Sequence, residues 1–293
     1  MPKYRLFDLC LDSEIELSAP LAGPDRPPDG AVRIAKVTCE DKTLSSKGLL
    51  VKDSSDEYLL TIPEGAIFHC HRGKTITIEP LKNFKADLAQ AMLSTHLFPA
   101  FLRQRGHHIL AGTALAYREK ALILLGRWGT SNLALELLKQ NFHFLSDGFI
   151  AFQSEGGTTK PMVLSSLPQI TVGEAQLELV DESFTSRPLR QGVPRHVIEV
   201  KTACSDKVVL GDVIFLESSW GSHSQPGWCE IAKDEAFRRI LQWDSQQLST
   251  QTSAQRASKF QFVNTLLQKF HAYRFTGRSL ESAANQIAEV LSA

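Results

Sequence analysis

The stretch LILLGRWGTSNLAL at residues 122–135 constrains this chain more than any other. Its apolar run belongs to the segment KALILLG, which reads as a strand covered on both faces. Gly126 and Gly129 punctuate a turn, and NLALELLKQ then carries the period of a helix. A strand that feeds a glycine-bearing loop and a helix N-terminus is the layout that cradles phosphate with backbone N–H groups. The lysine and hydroxyl residue that close such a loop are here Asn132 and Leu133.

The flanking sequence supplies layers for that strand. ILAGTALAY precedes it as one strand, joined by the charged turn Arg118–Glu119, and FHFLSDGFIAF follows the helix as another. The result is a β-loop-α-β unit of the kind that builds parallel sheets with ligand sites at strand C-termini. Upstream, the proline-rich LSAPLAGPDRPPDG excludes a regular element, and VRIAKV, YLLTI, AIFHCHR and KTITIEP alternate as half-buried strands do. From Asn83 to Gly106 apolar residues recur at helical spacing, with Pro99 expected to bend or interrupt the helix. Beyond residue 232 the chain reads as helices: KDEAFRRILQW, KFQFVNTLLQKFHAYRF and SLESAANQIAEVLSA. Phe260, Val263, Leu266, Leu267 and Phe270 form an apolar face for packing on the core. The expected class is therefore α/β, with a β-rich module over 1–82, a core over 83–245 and a C-terminal helical segment over 246–293.

Charge narrows the partners. Thirty-two basic side chains balance thirty-two acidic ones, so nothing global draws the chain to nucleic acid or an anionic membrane, and any anion site must be local. Five scattered cysteines without a CxxC pair fit neither a disulfide framework nor a zinc ribbon. An N-terminus without a long apolar core, and no apolar run near the roughly 18 residues that a spanning helix needs, place the chain in the cytoplasm by expectation.

The order of phrases resembles the HPr kinase/phosphorylase family, most closely the HPr-kinase-like enzymes of lasso-peptide and other peptide natural-product clusters. The phrases are GKTITIEP at 73–80, LRQRG at 102–106, AGTAL at 111–115, GRWGTSNLA at 126–134 and LSDG at 145–148. The resemblance covers roughly the first 165 residues. It implies an HPr-kinase-like P-loop core, but the chemical positions depart from the family pattern. The histidine opening the family's HASAV strand falls on Ala111. Gly126, Gly129 and Thr130 keep the loop, while its last glycine becomes Ser131, its lysine Asn132 and its hydroxyl residue Leu133. Of the terminal acidic pair, Asp147 remains and Gly148 replaces its neighbour.

These replacements bear on chemistry directly. A lysine contributes a charge-assisted contact worth about 1.5–3 kcal/mol, and leucine cannot ligate Mg²⁺. Phosphoryl transfer relies on positioning and charge neutralisation by those groups. The expectation is a pseudokinase without cofactor or metal: a catalytically inactive accessory factor that binds a peptide precursor or a partner enzyme, in the maturation of a ribosomal peptide natural product. The alternative is a nucleotide-dependent kinase that uses ATP and Mg²⁺ with Arg127 and Asp147. Homo-oligomerisation is implied only by the resemblance.

Other features have plainer readings beside functional ones. Trp128 at the loop tip suits an interface anchor or a filler of the emptied phosphate cavity. SRPLRQGVPRH, with Arg187, Arg190 and Arg195, reads as a surface loop able to clamp an acidic stretch of a peptide or partner. His69 and His71 share one strand face at a spacing that metals use, but no further ligand is visible in sequence, so a half-buried strand face is the expectation. Cys229 and His223 have no third group to make a nucleophile of the thiol.

Overall fold

The computed structural model describes residues 1–38, 50–126, 129–153, 161–181, 184–190, 192–204, 207–217, 227–245, 253–268, 270–276 and 279–292. Arg127, Trp128 and His223 lie outside these residues, and the readings placed on them are neither supported nor opposed.

The first module is a mixed sheet. Its strands are β1 (Lys3–Leu6), β2 (Leu9–Ser13), β3 (Gly30–Ile34), β4 (Leu50–Asp53), β5 (Glu57–Ile62), β6 (Ala66–His71) and β7 (Thr75–Pro80), in the order β1-β2-β3-β7-β6-β5-β4. Alternation decides which face goes inward: Ile76 and Ile78 of TITIEP are buried, while Thr75, Thr77 and Glu79 point the other way. The inner face packs on helix α1 (Ala86–Met92), a π-helical turn (Leu93–Leu97) and α2 (Phe98–Gln104) in one apolar cluster. Pro99 lies in the first turn of α2, and the widened turn before it is the interruption expected from its missing N–H.

Two of the scaffold phrases interlock. At the end of α2, the Gln104 side-chain oxygen accepts a hydrogen bond from the Gly73 N–H at 2.8 Å, and Arg105 donates to the Gly73 carbonyl at 2.9 Å. LRQRG thus fastens the helix to the β6–β7 turn that opens GKTITIEP. Arg103 adds a 2.6 Å ion pair with Asp53 on β4, both side chains largely shielded from water.

The core holds β8 (His108–Ala111), β9 (Thr113–Tyr117), β10 (Lys120–Leu125), α3 (Thr130–Leu138), β11 (His143–Ser146), β12 (Phe149–Gln153) and β13 (Met162–Val163). Next come β14 (Gln169–Gly173), a 3₁₀ segment (Glu174–Leu179), β15 (Thr185–Pro188), β16 (Arg195–Glu199), β17 (Val208–Leu216) and β18 (Gly227–Glu230). Helices α4 (Lys233–Ser245) and α5 (Ser253–Leu267), strand β19 (His271–Thr276) and helix α6 (Leu280–Ser292) close the chain. The protein is a mixed α/β structure. β10 runs through the large sheet between β9 and β17 with Ala121–Leu125 all buried, as its unbroken apolar run requires.

Four sequence expectations need correction. ILAGTALAY is two strands, since β8 pairs with β12 and β9 with β10 and β11. FHFLSDGFIAF is likewise β11 and β12, broken at Asp147–Gly148, and the two breaks meet where the Gly112 N–H donates to the Gly148 carbonyl at 3.4 Å. In the first break Gly112 stands in a largely apolar run, whereas the second carries the turn residues Asp147 and Gly148. The large sheet is mixed rather than parallel: β10 pairs parallel with β17, while antiparallel β9 separates β10 from β11. KFQFVNTLLQKFHAYRF is helix only to Leu267 and then becomes β19, which pairs with β17 and carries the C-terminal segment into the core sheet. Val263, Leu266, Leu267 and Phe270 pack into that core as expected, whereas Phe260 is exposed and meets Phe237 edge to face.

Candidate functional site

The chain enters α3 from β10 through the glycine-bearing loop. Gly129 caps the helix at φ 85°, a left-handed conformation that costs other residues about 1–2 kcal/mol, so this glycine has a backbone reason to be there. The first turn of α3 opens onto a cleft of about 1150 Å³. Gly126, Gly129, Thr130, Ser131 and Asn132 line it from the loop, and Ala111, Asp147 and Gly148 from the paired strand breaks. The structure therefore brings together Gly126, Gly129, Thr130, Ser131 and Asn132 of the loop with Ala111, Asp147 and Gly148.

Leu133 is the exception. Its side chain is wholly buried, in a cluster with Leu122, Leu124, Ala283 and Ile287. It turns away from the cleft into the layer between the large sheet and α6, where leucine is stabilised by burial and a metal-binding hydroxyl would have no role. Asn132 does line the cleft, so that position still addresses a ligand but with a neutral amide.

Asp147 is committed to internal bonds. Thr113 Oγ1 donates to its Oδ1 at 2.7 Å, Ser131 Oγ to the same oxygen at 2.8 Å, and the Thr171 N–H to Oδ2 at 2.9 Å. The residue keeps some surface on the cleft while its carboxyl sits deep. Burial pushes that carboxyl above its ordinary range, although the donors from Thr171, Thr113, Ser131 and Gly148 pull the other way. The carboxylate thus ties β9, α3 and β14 together at the base of the cleft. Ser131 was visible in sequence only as a lost glycine, and nothing local in the sequence marked Thr113 or Thr171 as partners.

The opposite wall corrects a further expectation. SRPLRQGVPRH forms a hairpin rather than a loop: β15 and β16 pair, β14 completes a three-stranded sheet, and the Leu189 N–H donates to the Arg195 carbonyl at 2.9 Å near the hairpin end. Arg190 and Arg195 reach the cleft from that end. Arg187 does not. It lies along β15 with its Nε 3.8 Å from Glu199, outside the cleft lining. Among the described residues lining the cleft, Arg190 and Arg195 are the guanidinium groups and Asp147 is the carboxylate. The wall toward the first module is mostly apolar and hydroxylic, with Phe7, Met92, Ser94, Thr95 and Phe98, and carries the imidazole of His96.

No helix among the described residues is long and apolar enough to cross a membrane. No family model matches the chain, and no curated protein matches it significantly. Among solved structures, the HPr(Ser) kinase/phosphatase from Coxiella burnetii is similar over 63% of this chain and 94% of its own, at 12% identity and a TM-score of 0.32. The likeness is distant, and nothing about activity follows from it.

Proposed function

We propose that this chain is an HPr-kinase-like scaffold with a degenerate P-loop, whose cleft seats an acidic stretch of a peptide or partner protein without transferring phosphate to it. The observation that carries this reading is the charge of the cleft: two arginines from the β15–β16 hairpin line it together with the N-terminal turn of α3, and its carboxylate is turned to internal donors. A carboxylate-bearing segment would find cations and backbone N–H groups there. Leu133 in the apolar core and the hydrogen-bonded Asp147 speak for loss of the Mg²⁺ chemistry, since both groups are directed into the protein. An accessory role in the maturation of a ribosomal peptide natural product rests on the resemblance of GKTITIEP, LRQRG and AGTAL to that group of kinases. The kinase alternative needs Asp147 released from three donors and a replacement for Leu133, so it stands second.

Fluorescence anisotropy with a labelled hexaglutamate peptide tests the proposal. Wild type binds it with an affinity that falls as salt rises, Arg190→Glu/Arg195→Glu weakens it about tenfold to a hundredfold, and Arg187→Glu leaves it unchanged. Equal effects of the cleft and Arg187 variants would remove the cleft from the account.

A further inference from the structure

We infer that Glu57, His69 and His71 form a binding site for one divalent transition-metal ion, Zn²⁺ or a neighbour of similar preference, on the N-terminal sheet. The site is separate from the cleft and does not rest on the function proposed for it.

Strand register assembles the three residues. His69 and His71 share a face of β6 because side chains alternate, and antiparallel pairing sets Glu57 of β5 directly opposite His71. This face is turned away from the main core cluster, which takes Tyr58, Leu60, Phe68 and Cys70 from the same two strands. Glu57 Oε1 lies 3.7 Å from His69 Nε2 and 3.7 Å from His71 Nδ1, and one donor atom from each residue falls within 4.8 Å of the others. An ion about 2.0–2.2 Å from each donor spaces tetrahedral ligands about 3.3–3.6 Å apart, so the two carboxylate–imidazole separations lie just outside that range, and the imidazole pair, within 4.8 Å, closes on the ion by side-chain rotation.

The two imidazole nitrogens carry the inference. Both are shielded from water and neither has a hydrogen-bond partner. At 3.7 Å from the carboxylate they are too far for a hydrogen bond, and buried polar atoms are seldom left so. A cation between the three groups satisfies both lone pairs and the carboxylate at once. His71 adds a telling detail: its side chain is 44% exposed, yet Nδ1 is turned inward. That exposure, with Glu57 at 35%, leaves a path by which an ion enters.

The backbone holds the carboxylate in place. The Glu57 N–H donates to Ser54 Oγ at 3.0 Å and the Ser54 N–H returns a 2.8 Å bond to the Glu57 carbonyl. Two imidazoles and one carboxylate suit Zn²⁺, Co²⁺, Ni²⁺ or Cu²⁺ better than Mg²⁺ or Ca²⁺, which prefer all-oxygen shells. Three protein ligands leave one coordination position open to water or a further donor.

Calorimetric titration of Zn²⁺ into the chelator-treated full chain tests the site. One equivalent binds and raises the melting temperature by several degrees. Glu57→Gln and His71→Ala, at partly exposed positions, each weaken binding at least about 100-fold, since loss of an outer partner alone costs about 10–100-fold. Co²⁺ in place of Zn²⁺ gives visible d–d bands without a thiolate charge-transfer band. The inference is overturned by no stoichiometric uptake at micromolar Zn²⁺, by unchanged affinity in both variants, or by a thiolate band that places the ion on a cysteine.

Discussion

Ser131 Oγ donates a 2.8 Å hydrogen bond to Asp147 Oδ1, from a loop position where the resembling sequences carry glycine. The hydroxyl thus takes up part of the hydrogen-bonding capacity of the one carboxyl group lining the cleft among the described residues. Removing it by Ser131→Ala leaves the carboxyl with one donor fewer in a deep setting, which should cost about 1–2 kcal/mol of stability. Thermal or urea unfolding reads this directly. Ser131→Thr, which keeps the hydroxyl, should recover most of the loss.

The neighbouring positions 132 and 133 should respond very differently to substitution. Leu133→Ser exchanges a wholly buried leucine for a hydroxyl in an apolar cluster, with an expected loss of about 3–5 kcal/mol. Asn132→Lys faces the cleft and should stay within about 0.5 kcal/mol of wild type. Denaturant midpoints of the two single variants check the contrast, and equal stabilities would mean that Leu133 is not held as described.

The joint between α2 and the β6–β7 turn should be measurable by itself. Gln104→Ala leaves the Gly73 N–H without its side-chain acceptor, an expected loss of about 1–3 kcal/mol, detectable as a lower unfolding midpoint. The same joint gives GKTITIEP and LRQRG a structural role: they hold the first module to the helices that wall the cleft.

Acid should destabilise the fold partly through His108. Its ring stacks on Phe262 at 4.1 Å, and burial, with Lys259 and His107 adding to it, lowers its pKa from 6.5 to about 4. Because the folded value lies below the unfolded one, the contribution is present above pH 6.5 and is lost as pH falls toward about 4. His69, His96 and His107 are lowered in the same direction, so they share this limb. His108→Phe keeps an aromatic ring against Phe262 and removes the titration. Its stability should therefore fall less steeply than wild type between pH 6.5 and 4.

Much of this architecture was legible because it is written in local period. The buried β10, the helices α3, α4 and α6, and the alternation of β5 to β7 follow from apolar spacing alone. The broken strands were not: Gly112 stands in a largely apolar run whose two halves only their pairing partners separate, and the turn residues Asp147–Gly148 were read as lying within one strand. The β15–β16 hairpin was hidden by prolines and charges that serve equally in a loop. At the cleft, sequence could name Asn132, Ser131 and Asp147, but it could not tell that Leu133 turns inward or that Thr171 reaches Asp147. Those facts depend on contacts between residues far apart in the chain. The pairing of Glu57 with His71 has the same origin, since strand register set it and spacing along one strand could not.

The most direct test of the account is the melting temperature of the wild-type chain with and without millimolar ATP and Mg²⁺. A cleft that offers neither a loop lysine nor a Mg²⁺-ligating hydroxyl should hold MgATP too weakly to move the melting temperature. A nucleotide site filled at about a hundred times its dissociation constant would add about 2.7 kcal/mol and move the curve by several degrees, and that shift would contradict the account.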